Sequence, residues 1–73
     1  MKNLSELNEE EVAILQEINL PLKTRRRLEA LGLVPGTTLS LLQKKATALV
    51  VLFRGCRFAM GKAIAKGILV KPL

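Results

Sequence analysis

Apolar and polar positions change rhythm several times along this chain. Thr37-Thr38-Leu39-Ser40-Leu41 alternates polar with apolar and predicts a strand over about 37–43. Lys44-Lys45-Ala46 makes a short basic loop. Thr47 to Arg54 is apolar at both odd and even positions, which predicts a central strand covered on both faces. Gly55 marks a tight hairpin. Cys56-Arg57-Phe58-Ala59-Met60 returns as a strand, with Cys56, Phe58 and Met60 on one side. Residues 61–66 predict a turn holding one helical turn, with Ala63 and Ala65. Ile68-Leu69-Val70 predicts a last short strand, ended by Pro72.

Upstream the rhythm is helical. Pro21 suits the first position of a helix, where its missing N–H is no loss, and a helix is predicted over about 21–31. At about 100° per residue, Thr24, Leu28 and Leu31 share one face. Arg26 falls nearly opposite, with Arg25 and Arg27 on its flanks. Gly32 fits the left-handed position just past the helix end, and Leu33 can fold back onto Leu28. Pro35-Gly36 fits the two central positions of a type II turn.

The first twenty residues are ambiguous. Leu4 and Leu7 are expected to anchor residues 1–8 onto the body. Over 9–18 the propensities favour a helix, and Asn8 with Glu11 has capping-box spacing. The same residues also alternate as a strand, with Val12, Ile14, Gln16 and Ile18 on one side and Ala13, Leu15 and Glu17 on the other. Asn19-Leu20-Pro21 is a connector. Short strands with one helix after the first predict a mainly β fold, a small partly open barrel.

Composition narrows the function. The 73 residues are 49% hydrophobic, enough for one small globular domain, with two Phe and neither Trp nor Tyr. One Cys and no His exclude a disulfide framework and point to a reducing compartment. The acidic N-terminus lacks the apolar run of a secretory signal. The longest apolar run, Ala48 to Phe53, is far short of the roughly 20 residues of a spanning helix. A cytoplasmic protein without membrane insertion is therefore expected.

The net charge of +6 is unevenly spread. Residues 1–29 carry five basic and six acidic side chains, net −1. Residues 30–73 carry seven basic side chains and no acidic one, net +7. Such asymmetry suits an acidic partner, a nucleic acid or an anionic surface. It also suits a plain solvated rim.

The run Arg26-Arg27-Leu28-x-x-Leu31-Gly32-Leu33-x-Pro35-Gly36-Thr37, followed by alternating apolar residues, resembles the small ferrous-iron transport A proteins, the FeoA family. The resemblance spans Leu4 to Val70. It is most specific at Leu28–Thr37, at the Arg54-Gly55 hairpin and at Ala65-x-x-Ile68-x-Val70. It implies an SH3-like barrel of about five strands, with a helix between the first and second. It also decides for a strand over 9–18. The chain departs from the family where Glu9-Glu10 replaces the usual Pro-Gly turn. The loop between the second and third strands is about two residues shorter than usual. Gly61 stands where a basic residue is common.

Chemistry-bearing constellations are few. Cys56 has no base beside it, and reads as a small core residue at a hairpin. One thiol without imidazole is a poor ligand set for ferrous iron. Glu9, Glu10 and Glu11 diverge on either a helix or a strand, and read as a solvated face. No phosphate-cradling motif is present. Neither catalysis, cofactor nor metal is expected. By resemblance, the chain is a non-enzymatic accessory of ferrous-iron uptake. It would dock on the cytosolic side of the membrane permease, the ferrous-iron transport B protein, which carries a GTP-binding domain. The expected docking residues are Arg25, Arg26, Arg27 and Leu33, with Lys44 and Lys45 on the loop taken to adjoin them. The alternative is a basic nucleic-acid-binding barrel using Lys44, Lys45, Arg54 and Arg57 around two loops. Phe53 and Phe58 are its only candidate base platforms, which argues against it. The SH3-like domain of some iron-dependent repressors is a third relative. No helix-turn-helix segment accompanies it here.

Overall fold

Two left-handed residues make the central hairpin. Arg54 (φ 52°) and Gly55 (φ 76°) form a two-residue loop of the kind that matches the twist of paired strands. Around it, a computed structural model describes residues 2–73. Met1, the first residue of the expected lead-in, lies outside them. The elements are β1 (Lys2–Asn3), a 3-10 turn (Leu4–Glu6), β2 (Val12–Ile18), α1 (Leu22–Ala30), β3 (Thr38–Lys44), β4 (Ala48–Phe53), β5 (Cys56–Gly61), α2 (Lys62–Ala65) and β6 (Ile68–Pro72). The sheet order is β1-β6-β2-β3-β4-β5, with every neighbouring pair antiparallel.

Six strands among the described residues exceed the expected five, because the lead-in is itself paired. Lys2 and Asn3 lie opposite Val70 and Leu69. The helix consequently falls between the second and third strands. Asn3 caps the 3-10 turn: its side chain accepts from the Ser5 N–H at 2.9 Å, and Glu6 accepts from the Asn3 N–H at 2.9 Å. That turn places Leu4 and Leu7 in the core, both fully buried as expected.

The strand over 9–18 begins only at Val12. Before it, Asn8 and Glu11 close a turn, with the Asn8 N–H donating to the Glu11 carboxylate at 2.9 Å. Glu10 there adopts a φ of 71°. Glutamate thus takes a left-handed conformation that glycine adopts more readily.

Alternation alone misplaces two residues of β2. Ala13 and Leu15 are buried, but so is Ile18, which strict alternation puts on the other face. The pairing with β6 shifts between Leu15 and Glu17. The extra residue, Gln16, bulges outward and inverts the facing of Glu17 and Ile18. A second shift between Leu41 and Gln43 does the same to β3 at Leu42.

β4 lies between β3 and β5, as its composition predicts, but it is not covered on both faces. Leu49, Val51 and Phe53 are buried, whereas Ala48, Val50 and Leu52 are half-buried. A chain of this size has little material for a second layer. Cys56 faces the core side at the hairpin end yet is exposed and free, not a core residue. The residues beyond Gly61 do make one helical turn, and Ala65 on it is fully buried.

Candidate docking surface

The most diagnostic run of the sequence is a piece of backbone engineering. α1 begins after Pro21, whose C=O accepts from the Arg25 N–H at 2.9 Å. Arginine and leucine are good helix formers. The helix stops at Gly32 (φ 99°). The Gly32 N–H donates to the Glu29 C=O at 2.9 Å, and the Leu33 N–H to the Leu28 C=O at 3.0 Å. These two bonds satisfy carbonyls that a helix end leaves without partners. Leu28 and Leu33 both enter the core. Val34-Pro35-Gly36-Thr37 then turns back, with the Thr37 N–H on the Val34 C=O at 3.0 Å and Gly36 at φ 92°, a type II turn. The turn is stitched to β2 through Gly36 N–H to Leu15 C=O (2.8 Å) and Leu15 N–H to Thr37 C=O (2.9 Å). The buried Thr37 hydroxyl donates to the Gly32 C=O and accepts from the Val34 N–H.

This arrangement leaves α1 lightly attached. Leu28 is its only buried residue, and Thr24 is half-buried. Leu31 is 54% exposed, contrary to its expected place on the packed face. It sits at the helix cap (φ −82°, ψ −6°), and Leu33 past the stop fills the core instead. Leu22, in the first turn, is 49% exposed. Arg25, Arg26 and Arg27 are all exposed. Arg27 in the last turn and the Arg54 side chain, which lies against Gly32, bring positive charge to the negative end of the helix.

The expected docking residues therefore divide. Arg25, Arg26 and Arg27 share α1. Leu33 has no exposed surface, so it supports the helix stop and cannot itself touch a partner. Lys44 and Lys45 do not adjoin α1. They lie at the far end of β3, about 20 Å from its start at ~3.3 Å per residue. Lys44 is also tied to the N-terminal segment: its N–H donates to the Glu9 carboxylate at 2.9 Å and its Nζ to the Leu7 C=O at 3.1 Å. Glu9 is thus not simply solvated. The Lys44-Lys45 loop and the Arg54-Gly55 hairpin sit at opposite ends of β4, so they are two patches and not one cluster. Phe53 is buried and meets half-buried Phe58 edge-to-face at 6.4 Å, which leaves neither ring free as a stacking platform.

Sequence reasoning passed over Leu22, placed Leu31 on the packed face, and named Arg54 only for the nucleic-acid alternative. The position of Arg54 had a readable signal, because consecutive loops of an antiparallel meander alternate ends. That rule also separates the two basic loops. Among the described residues no group of three or more His, Cys, Asp or Glu side chains could hold a metal ion. Nor is any helix of the described residues long and apolar enough to cross a membrane.

Fold and surface define a small SH3-like β protein. The architecture recurs in a manganese-dependent transcriptional repressor, which matches 99% of this chain and 36% of its own length at TM-score 0.91; at 18% identity that is a likeness of fold alone. Closer in sequence is an iron uptake regulatory protein (FeoA), 30% identical over 97% of this chain and 96% of that one, TM-score 0.89. The FeoA protein of Chlorobium tepidum is 33% identical over 97% of this chain and 70% of that one, TM-score 0.91. The FeoA domain family matches residues 2–72. The chain belongs to the FeoA family, which is associated with ferrous-iron transport. No curated protein matches it.

Proposed function

We propose that this protein is a non-enzymatic accessory of ferrous-iron uptake that docks onto the cytosolic part of the ferrous-iron permease through α1. One observation carries the reading. α1 buries a single side chain but exposes three consecutive arginines between two exposed leucines. Stabilising the fold does not require that face. At about 100° per residue Leu22 and Arg26 lie about 40° apart, with Arg26 turned away from Leu28, and an exposed leucine beside a guanidinium suits an interface with an acidic partner. The protein would act at the inner face of the membrane through this contact. Lys45, exposed at the far end of β3, would join only if the partner also spans the length of the strand.

The test is an NMR titration of labelled protein with the same organism's permease in detergent. Saturable shifts should cluster on residues 22–31. Arg26→Glu should weaken binding by about tenfold or more while leaving the spectrum of the free protein folded. Unchanged affinity in this variant would remove α1 from the interface.

A further inference from the structure

The opposite side of the sheet carries a second surface that the docking helix does not use. β5 is the last strand of the sheet, with β4 on one side and no strand on the other among the described residues. Phe53 and Cys56 close its two-residue hairpin with β4. In such a hairpin the closing pair exchanges hydrogen bonds and the next pair does not. Phe58 and Met60 therefore bond to β4. Arg57 and Ala59 turn their N–H and C=O groups to the open edge, and Gly61 turns its N–H there, its C=O being taken up as the N-cap of α2. The Lys62 N–H, next in this alternation, donates to the Thr47 C=O at 3.0 Å, in step with it.

Native edge strands are normally blunted by proline, bulges or several charges. This one has six residues in regular register, no proline, and side chains as small as Ala59 and Gly61 at its exposed positions. Arg57 is its only charge. The same three residues border the uncovered face of the sheet. Leu42, Gln43, Val50 and Arg57 line a groove of about 370 Å³ there. Val50 lies directly across from Ala59, so only a methyl group separates the groove floor from the open edge.

We infer that β5 is a strand-addition site for an extended, acidic segment of a partner polypeptide. Its backbone would pair with Arg57, Ala59 and Gly61. Alternate apolar side chains would cross Ala59 toward Val50 and Leu42, and a carboxylate would meet Arg57. Backbone pairing demands an extended chain. The sign of the partner follows from residues 30–73, which carry seven basic and no acidic side chains. A second copy of this chain would bring the same positive charge to the contact. This surface is separate from α1, so its failure leaves the docking proposal standing.

The probe is a synthetic strand whose alternate residues read glutamate-valine-valine, with threonine between them, so that glutamate and valine reach Arg57 and Ala59 on the same face; it is added to the labelled full chain. Exchange of the Arg57, Ala59 and Gly61 amides should slow by about tenfold or more at saturation, and affinity should fall as salt rises. A version with lysine in place of glutamate and a version N-methylated at alternate residues should each bind at least about tenfold more weakly. Arg57→Glu should weaken the acidic peptide by a similar factor. Ala59→Pro, which removes an edge N–H but no bond to β4, should abolish pairing. Equal binding of the N-methylated peptide would overturn strand addition whatever the variants do. Equal binding of the lysine peptide would overturn the acidic specificity. Self-association through β5 in the absence of peptide, seen by sedimentation, would assign the edge to a second copy.

Discussion

Leu31 and Leu33 flank one glycine, and the same substitution at each should have very unequal consequences. Leu33 is fully buried, whereas Leu31 is 54% exposed. Truncating a buried leucine to alanine removes its transfer free energy and leaves a cavity, together about 2–5 kcal/mol. A chain of 73 residues has a total stability of only about 4–11 kcal/mol. Leu33→Ala therefore threatens half of it. The backbone bond from residue 33 to the Leu28 C=O survives the substitution, so the loss reports packing and not capping. Leu31→Ala exchanges an exposed side chain for the best helix former and should stay within about 0.5 kcal/mol. Urea unfolding followed by circular dichroism separates the cases. With a slope near 1 kcal/mol per molar, the Leu33→Ala midpoint should fall by about 2 M or more, and the Leu31→Ala midpoint by less than about 0.5 M. Leu33→Met, which nearly conserves volume, should recover most of the loss. Equal midpoints for the two alanine variants would refute the assignment of Leu33 to the core and of Leu31 to the surface.

Two other substitutions probe the backbone. A Cβ at Gly67 would overlap the Leu20 side chain and lie 2.7 Å from the Asn19 carbonyl oxygen, so Gly67→Ala must displace main chain. It should cost about 1–3 kcal/mol, a fall in Tm of at least roughly 5 °C by calorimetry, and an unchanged Tm would mean that Leu20 does not cover this site. Glu10 holds a φ of 71°, which glycine adopts without a Cβ clash. Glu10→Gly should gain about 0.5–1 kcal/mol in the same urea assay, and a loss instead would assign the glutamate side chain a stabilising contact.

How much of this fold is legible in the residues depends on how each residue encodes its geometry. Gly32, Pro35 and Gly36 specify backbone angles directly, so the helix stop and the turn can be read from residue types alone. The Arg54-Gly55 hairpin is legible for the same reason. Facing in a strand is counted from residue to residue, and a bulge spoils the count. Gln16 and Leu42 have no local marker, because a bulge is decided by the partner strand. β1 has two residues, too few for a period, and exists only because Val70 and Leu69 lie opposite. Cys56 is in phase with the core residues of β5, but phase does not reveal that the hairpin end projects past the core.

The same distinction bears on where function lies. Within the run that marks the family, Leu28 and Leu33 fill the core, Gly32 and Gly36 hold left-handed angles, Pro35 turns the chain, and Thr37 bridges two backbone groups. Each has a task in the fold that would keep it in place in a protein that bound nothing. Arg26, Arg27 and Leu31 belong to the same run, yet they are exposed and the fold asks little of them. The motif as a whole is therefore evidence for architecture. In the proposed docking, the residues of this run that would meet the partner are Arg26, Arg27 and Leu31. Substitutions there should change binding and spare stability, and substitutions at the other six should change stability first.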